Sequence, residues 1–386
     1  MKRAALIVID GLGIGAAPDA AAYGDAGSDT LGNVARAVGG FRLPNLERLG
    51  LGCCRPLAGM SCRAPAAAHG VALPRSPGKD STTGHWEICG LILERPFPTY
   101  PEGFPDDLLA EFTRRTGRGV LGNRPASGTA IIAELGALHQ RTGSWIIYTS
   151  ADSVFQIAAH EETVPLAELY RGAEIARALL DGPHRVGRVI ARPFRGTPGA
   201  YQRTANRRDF SVAPVADTLL DRLAARGVTR VGVGKVDDLF AGRNITSRHT
   251  PTNQAAYDLI EGALDGMDSG LLFVNVIEFD QAWGHRNDVS GFHEGLKALD
   301  AWLPRLVQRV RRGDLVIVTA DHGNDPTSPS TDHSREAVPI LAFGLGTRPA
   351  PLGERGTFAD IGATLAEYFE AEPLAAGRSF LQEIWN

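Results

Sequence analysis

The sequence lacks any run of apolar residues long enough to span a membrane, which takes about 20 of them. The apolar stretch nearest its start, residues 4–9, is stopped by Asp10 before it reaches the length of a secretory signal. The formal net charge of the 386 residues is only -4. This balance gives no reason to expect nucleic acid or an anionic membrane as a partner. We therefore expect a cytoplasmic protein.

Cysteine is also scarce, with four residues in the whole chain, Cys53, Cys54, Cys62 and Cys89. No two of them have the Cys-x-x-Cys spacing of common zinc sites, so a zinc site built from cysteine is not expected. A bond between the adjacent Cys53 and Cys54 would require strained geometry. We predict reduced and mostly buried thiols.

Strand-like and helix-like patterns alternate along much of the chain, without internal repeats or low-complexity segments. Short apolar runs predict strands at residues 4–10, 145–151, 230–234, 271–280, 314–320 and 339–344. Amphipathic patterns predict helices at residues 217–226, 252–267, 293–312 and 358–369, with Pro304 kinking or splitting the third. This order is typical of the α/β class, with a mostly parallel sheet between helices.

The middle of the chain has a different character. A proline-rich segment (Pro96, Pro98, Pro101, Pro105) precedes it, and another (Pro193, Pro198, Pro214) follows. Between them lie three amphipathic patterns, at residues 105–116, 129–140 and 166–180. We predict a smaller α/β cap domain at residues 95–213, inserted into a core domain formed by residues 1–94 and 214–386.

Metal-binding side chains follow three of the apolar runs in the core. The runs lead into Asp10, Asp280 and Asp321, and histidines come soon after two of them. In open α/β sheets, ligands bind at the carboxyl ends of the strands. A carboxylate buried there without a partner would be costly. The sequence therefore predicts a site for two divalent ions, with candidate ligands Asp10, Asp280, His285, Asp321, His322 and His333.

A hydroxyl cluster lies at residues 78–88, where turn residues precede a possible helix. Asp and Ser are common helix N-caps, and a structural role alone would account for them. A hydroxyl at a helix N-terminus beside metal ions is also suited to be a phosphoryl-transfer nucleophile. The metal ligands elsewhere in the chain favour the second interpretation.

These features together resemble the alkaline phosphatase superfamily and, within it, the phosphopentomutases. The resemblance covers nearly the whole chain. It rests on Asp10 with the glycines after it and on residues 17–19, 27–30, 78–87, 122–129, 148–154, 187–194, 279–286 and 319–325. It implies an alkaline-phosphatase-like core and an isomerase that interconverts ribose or deoxyribose 1-phosphate and the 5-phosphate through a phosphoenzyme and a pentose bisphosphate.

The resemblance also assigns roles to individual residues. One metal would be held by Asp280, His285 and His333, and the other by Asp10, Asp321, His322 and the nucleophile. The nucleophile follows Asp80, which makes it Ser81 rather than Thr82 or Thr83, although family members usually have Thr there. In the family the metals are typically manganese, while Asp and His ligands alone would equally permit zinc or magnesium, and a sugar bisphosphate could act as activator. Sugar and distal phosphate would be bound by Ser150, Asp152, Arg188, Arg192, Arg203 and Lys235.

Three other functions share parts of this pattern. A cofactor-independent phosphoglycerate mutase would use the same metal site, and a plain phosphatase or phosphodiesterase would need only the metals and the hydroxyl. A metal-stabilised binding protein without activity would leave the hydroxyl unused. Residues 148–154 and 187–194 favour the pentose enzyme. The sequence does not indicate the oligomeric state.

Overall fold

The computed structural model describes residues 2–150 and 152–385. The chain forms two compact units, one comprising Met1–Pro96 and Pro214–Asn386, and the other comprising Phe97–Ala213. We call them the core unit and the inserted unit. Within the described residues, no helix has the length and apolar character needed to cross a membrane.

Helices and strands are interspersed along the whole chain. The first part of the core unit contains β1 (Arg3–Ile9), α1 (Thr30–Ala37), α2 (Pro44–Leu49), α3 (Leu51–Cys54), β2 (Ala68–Ala72) and α4 (Ser81–Ile88). The inserted unit contains α5 (Asp106–Thr116), β3 (Val120–Pro125), α6 (Gly128–Thr142), β4 (Trp145–Thr149), β5 (Val154–His160), α7 (Leu166–Leu179), β6 (Arg188–Arg195), β7 (Gln202–Arg203) and β8 (Arg208–Ser211). The second part of the core unit contains α8 (Leu219–Ala225), β9 (Arg230–Val233), α9 (Val236–Leu239), β10 (Ser247–Arg248), α10 (Asn253–Gly266), β11 (Gly270–Val276), α11 (Val289–Val307), β12 (Leu315–Thr319), β13 (Val338–Phe343), β14 (Pro351–Arg355), α12 (Ala359–Tyr368) and α13 (Leu381–Ile384).

The core unit is built on an eight-stranded sheet with the strand order β10-β9-β11-β1-β12-β13-β2-β14. The five strands from β10 to β12 are parallel, β13 is antiparallel to both of its neighbours, and β14 is parallel to β2. Every residue of β1, β11 and β12 is buried, which explains why these strands are continuous apolar runs. The predicted α/β class with a mostly parallel sheet is confirmed.

Helix α11 differs from its prediction at both ends. It begins at Val289, because the side chain of Asp288 accepts a hydrogen bond from the Gly291 amide and caps the helix there. It continues past Pro304 to Val307 as one helix, so the predicted split does not occur. The predicted continuation to residue 312 is also wrong.

The inserted unit contains a mixed sheet with the order β3-β4-β5-β6-β7, and β8 also pairs with β6. One face of this sheet packs on α5 and α7 around Phe112, Trp145 and Phe155. The opposite face packs on α6 through a smaller cluster that includes Ile131, Ile146, Tyr148 and Phe194. The second cluster therefore lies between α6 and the strands β4, β5 and β6.

The prediction of reduced cysteines is wrong for two of the four. Cys53 and Cys62 form a disulfide, with their Cα atoms 4.7 Å apart. The chain between them turns back at Gly59, which has a φ of +82° and packs closely on the backbone of Phe41. Cys54 and Cys89 are free thiols, and burial raises the pKa of Cys54 to about 12.

Candidate active site

Three neighbouring parallel strands bring the three predicted carboxylates together. β1 lies between β11 and β12, and Asp10 directly follows β1. Asp321 comes two residues after the end of β12. Asp280 does not end a strand as predicted, because β11 stops at Val276 and Asp280 lies in a π-helical turn at Phe279–Trp283. All three side chains are buried at the carboxyl edge of the sheet.

The first group of possible metal ligands consists of Asp10, Asp321 and His322, whose ligand atoms all lie within 4.8 Å of one another. Nε2 of His322 is 3.3 Å from Oδ1 of Asp10 and 3.4 Å from Oδ2 of Asp321. Ser81 joins this group, with its Oγ 3.3 Å from Asp10 Oδ1 and 3.1 Å from His322 Nε2. A hydroxyl, two carboxylates and an imidazole therefore converge at one point.

The second group consists of Asp280, His322 and His333, so His322 belongs to both. Nε2 of His333 is 3.1 Å from Oδ1 of Asp280. His285 also points to Asp280, with Nε2 3.4 Å from Oδ2, because its Nδ1 donates a hydrogen bond to the carbonyl of Thr331. The structure thus brings all six predicted metal ligands and Ser81 into one site.

Charge interactions favour the ionised form of two carboxylates of this site, Asp10 and Asp280. Burial opposes the charge of Asp10, but Lys235, whose Nζ lies 2.8 Å from Oδ2, holds the pKa of Asp10 below its ordinary value. Burial likewise opposes the charge of Asp280, and His333 and His285 hold its pKa well below the ordinary value. Burial would lower the pKa of His322, yet Asp321 and the other carboxylates raise it to about 10.

The donor set fits divalent metal ions. Oδ2 of Asp321 and Nε2 of His333 are buried and, although His85 lies 3.1 Å from the first and Asp280 3.1 Å from the second, neither atom forms a well-aligned hydrogen bond with a described residue. Such atoms are costly unless another partner neutralises them. Carboxylate oxygens combined with imidazole nitrogens suit manganese, zinc and related ions. We conclude that these residues could hold metal ions in two adjoining positions.

Helix α4 positions the predicted nucleophile. Asp80 is its N-cap, with Oδ1 accepting the Thr83 amide at 3.0 Å, and Ser81 is the first helical residue. The Thr83 hydroxyl donates to Oδ2 of Asp80 at 2.6 Å, so it is engaged away from the metal ligands. Within the cluster of three hydroxyls, Ser81 is the residue that contacts Asp10 and His322.

The loop before Ser81 is held by two buried residues that the sequence patterns did not reveal. The guanidinium of Arg335 donates to the carbonyls of Pro74, Ser76 and Gly78 at 3.0, 2.5 and 2.6 Å. From the other side, Glu87 accepts the Ser76 amide at 2.6 Å. Residues 74–78 are thus bound through both their carbonyls and their amides.

His85 and Asn275 link the metal ligands to one another and were also missed. Nδ1 of His85 donates to the Ser81 carbonyl and lies 3.1 Å from Oδ2 of Asp321. Asn275 donates to Oδ2 of Asp10 at 3.2 Å, and its amide nitrogen lies 3.4 Å from Nε2 of His85. A His close after the hydroxyl-rich residues 81–83 was the sequence signal for this contact.

Five of the six predicted sugar-binding residues lie in the inserted unit. Arg188 lies 4.0 Å from Asp152, whose amide donates to the hydroxyl of Ser150. Arg192 donates to Gln156 at 3.1 Å, and Arg203 lies on β7 beside β6.

The sixth predicted sugar-binding residue, Lys235, belongs to the core unit. There its ammonium contacts the carboxylate of Asp10, and its side chain is 29% exposed. Its predicted contact with substrate phosphate stays a prediction.

Comparison with known proteins agrees with this geometry. A family model described as the Metalloenzyme superfamily matches residues 2–373. The chain therefore belongs to the Metalloenzyme superfamily.

Among curated relatives, the phosphopentomutase of Carboxydothermus hydrogenoformans is 56% identical over 387 residues, covering 100% of both chains. That of Anaeromyxobacter sp. is 54% identical and covers 99% of each chain. Within the superfamily, the chain is a member of the phosphopentomutase family. A solved phosphoglycerate mutase of Leishmania mexicana covers 99% of this chain and 97% of its own at 12% identity, with a TM-score of 0.50. At that identity, the likeness extends to the fold alone.

Proposed function

We propose that the protein is a phosphomutase that interconverts the 1-phosphate and 5-phosphate of ribose or deoxyribose. Relatives that carry this activity in their names match the chain from end to end at more than 50% identity. The observation that carries the chemical proposal is the position of Ser81 Oγ, within 3.3 Å of both Asp10 and His322. A hydroxyl placed among such groups is suited to take up and return a phosphoryl group.

The reaction then consists of two balanced transfers. Phosphorylated Ser81 gives its phosphoryl group to the free hydroxyl of a pentose monophosphate. The bond from Ser81 Oγ to phosphorus breaks, and a new bond from the sugar oxygen to phosphorus forms. The resulting bisphosphate turns round, and Ser81 Oγ attacks the other phosphorus atom, whose bond to the sugar oxygen breaks and leaves a free sugar hydroxyl. That step restores phosphorylated Ser81 and releases the isomeric monophosphate.

The core unit supplies the groups that act on the transferred phosphoryl. Asp10, Asp321 and His322 would hold one divalent ion beside Ser81, and Asp280, His285 and His333 would hold the other. Bound ions of this kind stabilise the charge on attacking and leaving oxygens. Lys235 adds a positive charge next to Asp10, and its side chain is partly exposed. We propose manganese as the metal and a sugar bisphosphate as the activator.

The inserted unit would recognise the sugar. Arg188, Arg192 and Arg203 suit a phosphate, because a guanidinium can donate two parallel hydrogen bonds to it. Asp152 and Ser150 suit the hydroxyls of a pentose. Exclusion of water from phosphorylated Ser81 would protect it from hydrolysis and favour transfer.

A phosphoglycerate mutase function is not favoured. The neighbour of that name shares the fold at 12% identity, while the relatives above half identity are phosphopentomutases. Assaying ribose 1-phosphate and 3-phosphoglycerate side by side, with manganese present, tests the choice directly. We expect conversion of the pentose phosphate alone. Turnover of 3-phosphoglycerate without turnover of ribose 1-phosphate would overturn the proposal.

A further inference from the structure

The turn that carries Asp280 is fixed at its start by a residue of helix α10. Glu278 directly precedes the π-helical turn Phe279–Trp283. Oε2 of Glu278 accepts the backbone amide of Asn253 at 2.5 Å, and the amide of Glu278 donates to Oδ1 of Asn253 at 3.0 Å. The two residues are therefore joined by a reciprocal pair of hydrogen bonds, although 25 positions separate them in the chain.

Capping of α10 accounts for only one half of this pair. The helix has its own N-cap, because the Thr252 hydroxyl accepts the Ala255 amide at 3.2 Å. Asn253 is the first helical residue and is only 4% exposed, and its amide has no acceptor within the helix. Glu278 supplies that acceptor. The hydrogen bond in the opposite direction, from the Glu278 amide, holds the turn rather than the helix.

Packing on α11 holds the start of α10 in place. Tyr257, one helical turn after Asn253, stacks on Trp302 of α11 with the ring centroids 4.5 Å apart and the planes inclined by 12°. The indole of Trp302 also donates to Glu261 of α10 at 3.0 Å. Both aromatic side chains are buried. The first turns of α10 therefore offer Glu278 a fixed point of attachment.

Two candidate metal ligands depend on where this turn begins. Asp280 comes two residues after Glu278, and His285 lies in the short helix Gly284–Arg286 that follows the turn. Nε2 of His285 lies 3.4 Å from Oδ2 of Asp280, and Nε2 of His333 lies 3.1 Å from Oδ1. A small shift of Asp280 would change both distances. Metal sites tolerate such shifts poorly, and residues that orient the ligands typically alter metal affinity by about tenfold to a hundredfold.

We propose that Asn253 and Glu278 are positioning residues for the metal position that contains Asp280 and His285. Their reciprocal hydrogen bonds hold the start of the π-helical turn, so that both ligands keep the geometry that a divalent ion requires. This inference rests on the proposed function, in which that position holds one of two ions. The position beside Ser81 takes its carboxylates from other strands and does not depend on the pair.

Glu278→Ala tests the proposal, because it removes the acceptor of the Asn253 amide. Manganese binding without substrate is measured by the loss of the electron paramagnetic resonance signal of the free ion. We expect the parent chain to bind two ions, and the variant to bind one of them unchanged and the other about tenfold more weakly. Equal affinities in the variant and a parent that binds two ions would overturn the proposal alone. A parent that binds fewer than two ions would refute the metal assignment and this inference with it.

Two further variants separate position from charge. Glu278→Gln removes the charge but keeps an oxygen that can accept the Asn253 amide, so it should bind both ions nearly as well as the parent. Asn253→Ala removes no charge but leaves the Glu278 amide without its acceptor, so it should weaken one ion as Glu278→Ala does. Equal weakening by Glu278→Gln and Glu278→Ala would show an effect of charge and overturn the positioning role.

A double variant identifies the position that is affected. His285→Ala removes a candidate ligand of that position directly, and the remaining ion should bind as in the parent. Adding Glu278→Ala to His285→Ala should change nothing further, because both substitutions act on the same ion. Weaker binding of the remaining ion in the double variant would show that the pair supports the whole site, against the proposal.

Asp300→Ala is a matched control for a general loss of stability. Asp300 is a buried acid that accepts the amides of Asn45 and Leu46 at 2.9 and 2.8 Å, so it also binds the start of a distant helix, α2. Both Asp300→Ala and Glu278→Ala should lower the melting temperature, but Asp300→Ala should leave both manganese affinities unchanged. Equal weakening of manganese binding in the two variants would assign the effect to general loosening and overturn the proposal.

Discussion

At the scale of single residues, the proposed reaction depends most on Ser81 as the nucleophile. Ser81→Ala removes the oxygen that contacts Asp10 and His322, while Asp80 remains as the cap of α4. Alanine is well tolerated in a first helical turn, so the melting temperature should change little. We expect mutase turnover to fall by about a thousandfold or more, as is usual when a nucleophile is removed.

Thr83→Ala provides the matched control in a steady-state assay of ribose 5-phosphate. It breaks the hydrogen bond to Asp80 and should cost about 1 kcal/mol of stability while leaving most of the turnover. A variant lacking Ser81 that keeps substantial mutase turnover would contradict the assignment.

The raised pKa of His322 predicts how metal binding at this site depends on pH. Its pKa is raised to about 10 by the surrounding carboxylates, so in the metal-free protein it is protonated throughout the neutral range. A metal ligand must be deprotonated, and binding at pH 7 should therefore release about one proton from this residue. Apparent affinity for manganese should rise as pH rises.

Calorimetric titration of manganese in two buffers of different ionisation enthalpy counts the released protons. His184→Asn, at an imidazole of the inserted unit that contacts the Tyr100 hydroxyl, should leave this count unchanged, whereas His322→Asn should lower it. Manganese binding without proton release would show that His322 is not a ligand.

At the scale of elements, α4 depends on the loop that precedes it. Arg335→Lys replaces a planar group that reaches three carbonyls by a single ammonium, which cannot bind all of them. Residues 74–78 should shift, and a small displacement of Ser81 should lower kcat between about tenfold and a hundredfold with little change in KM. Arg335 therefore acts as a positioning residue.

A purely structural role of Arg335 would give a different result. Added guanidinium should restore part of the kcat of Arg335→Ala if the group acts by holding the loop. Arg36→Ala, at a mostly exposed arginine paired with Asp29, should leave kcat unchanged. Loss of stability with an unchanged kcat in the folded fraction would contradict the positioning role.

The same scale shows what sequence patterns could predict. Asp10 and Asp321 were found because each comes directly after, or within two residues of, a buried strand. Asp280 was predicted to end a strand, and this reason is only partly right. Asp280 follows β11 in the sequence but lies within a π-helical turn. Arg335 was missed because its partner Ser76 is 259 residues away and offers a backbone carbonyl, which leaves no signal in residue identity.

Two further features could not be predicted from sequence patterns, because they depend on how the chain folds around the residues concerned. The bond between Cys53 and Cys62 depends on a tight turn, which the spacing of the cysteines does not reveal. The unpartnered hydroxyl of Tyr148 is visible only once its surroundings are known, since in the sequence Tyr148 is one more apolar strand residue. The helices and strands, and the clustering of the candidate metal ligands, were therefore easier to predict than long-range polar contacts.

At the scale of the whole molecule, we expect the two units to have separate roles in the reaction. Under the proposed function, transfer of phosphoryl would need the candidate ligands of the core unit, and recognition of the sugar would need the inserted unit. Arg203→Ala should therefore lower mutase activity far more than hydrolysis of a small aryl phosphate. The ratio of the two activities is the quantity to measure.

Arg195→Ala controls for the loss of an arginine in the same unit. Arg195 is 65% exposed and paired with Glu161, and its removal should not change the ratio. Equal losses of both activities in Arg203→Ala would show that this arginine supports the structure rather than the substrate.

The most direct test of the central claim is to locate the phosphate on the enzyme. The metal-loaded chain is incubated with ribose 1,5-bisphosphate, quenched, digested and mapped by mass spectrometry. We expect one phosphate, on Ser81, and none on the same peptide of Ser81→Ala. A phosphate on Thr82 or Thr83, or a peptide that stays unmodified while the chain turns over pentose phosphate, would contradict it.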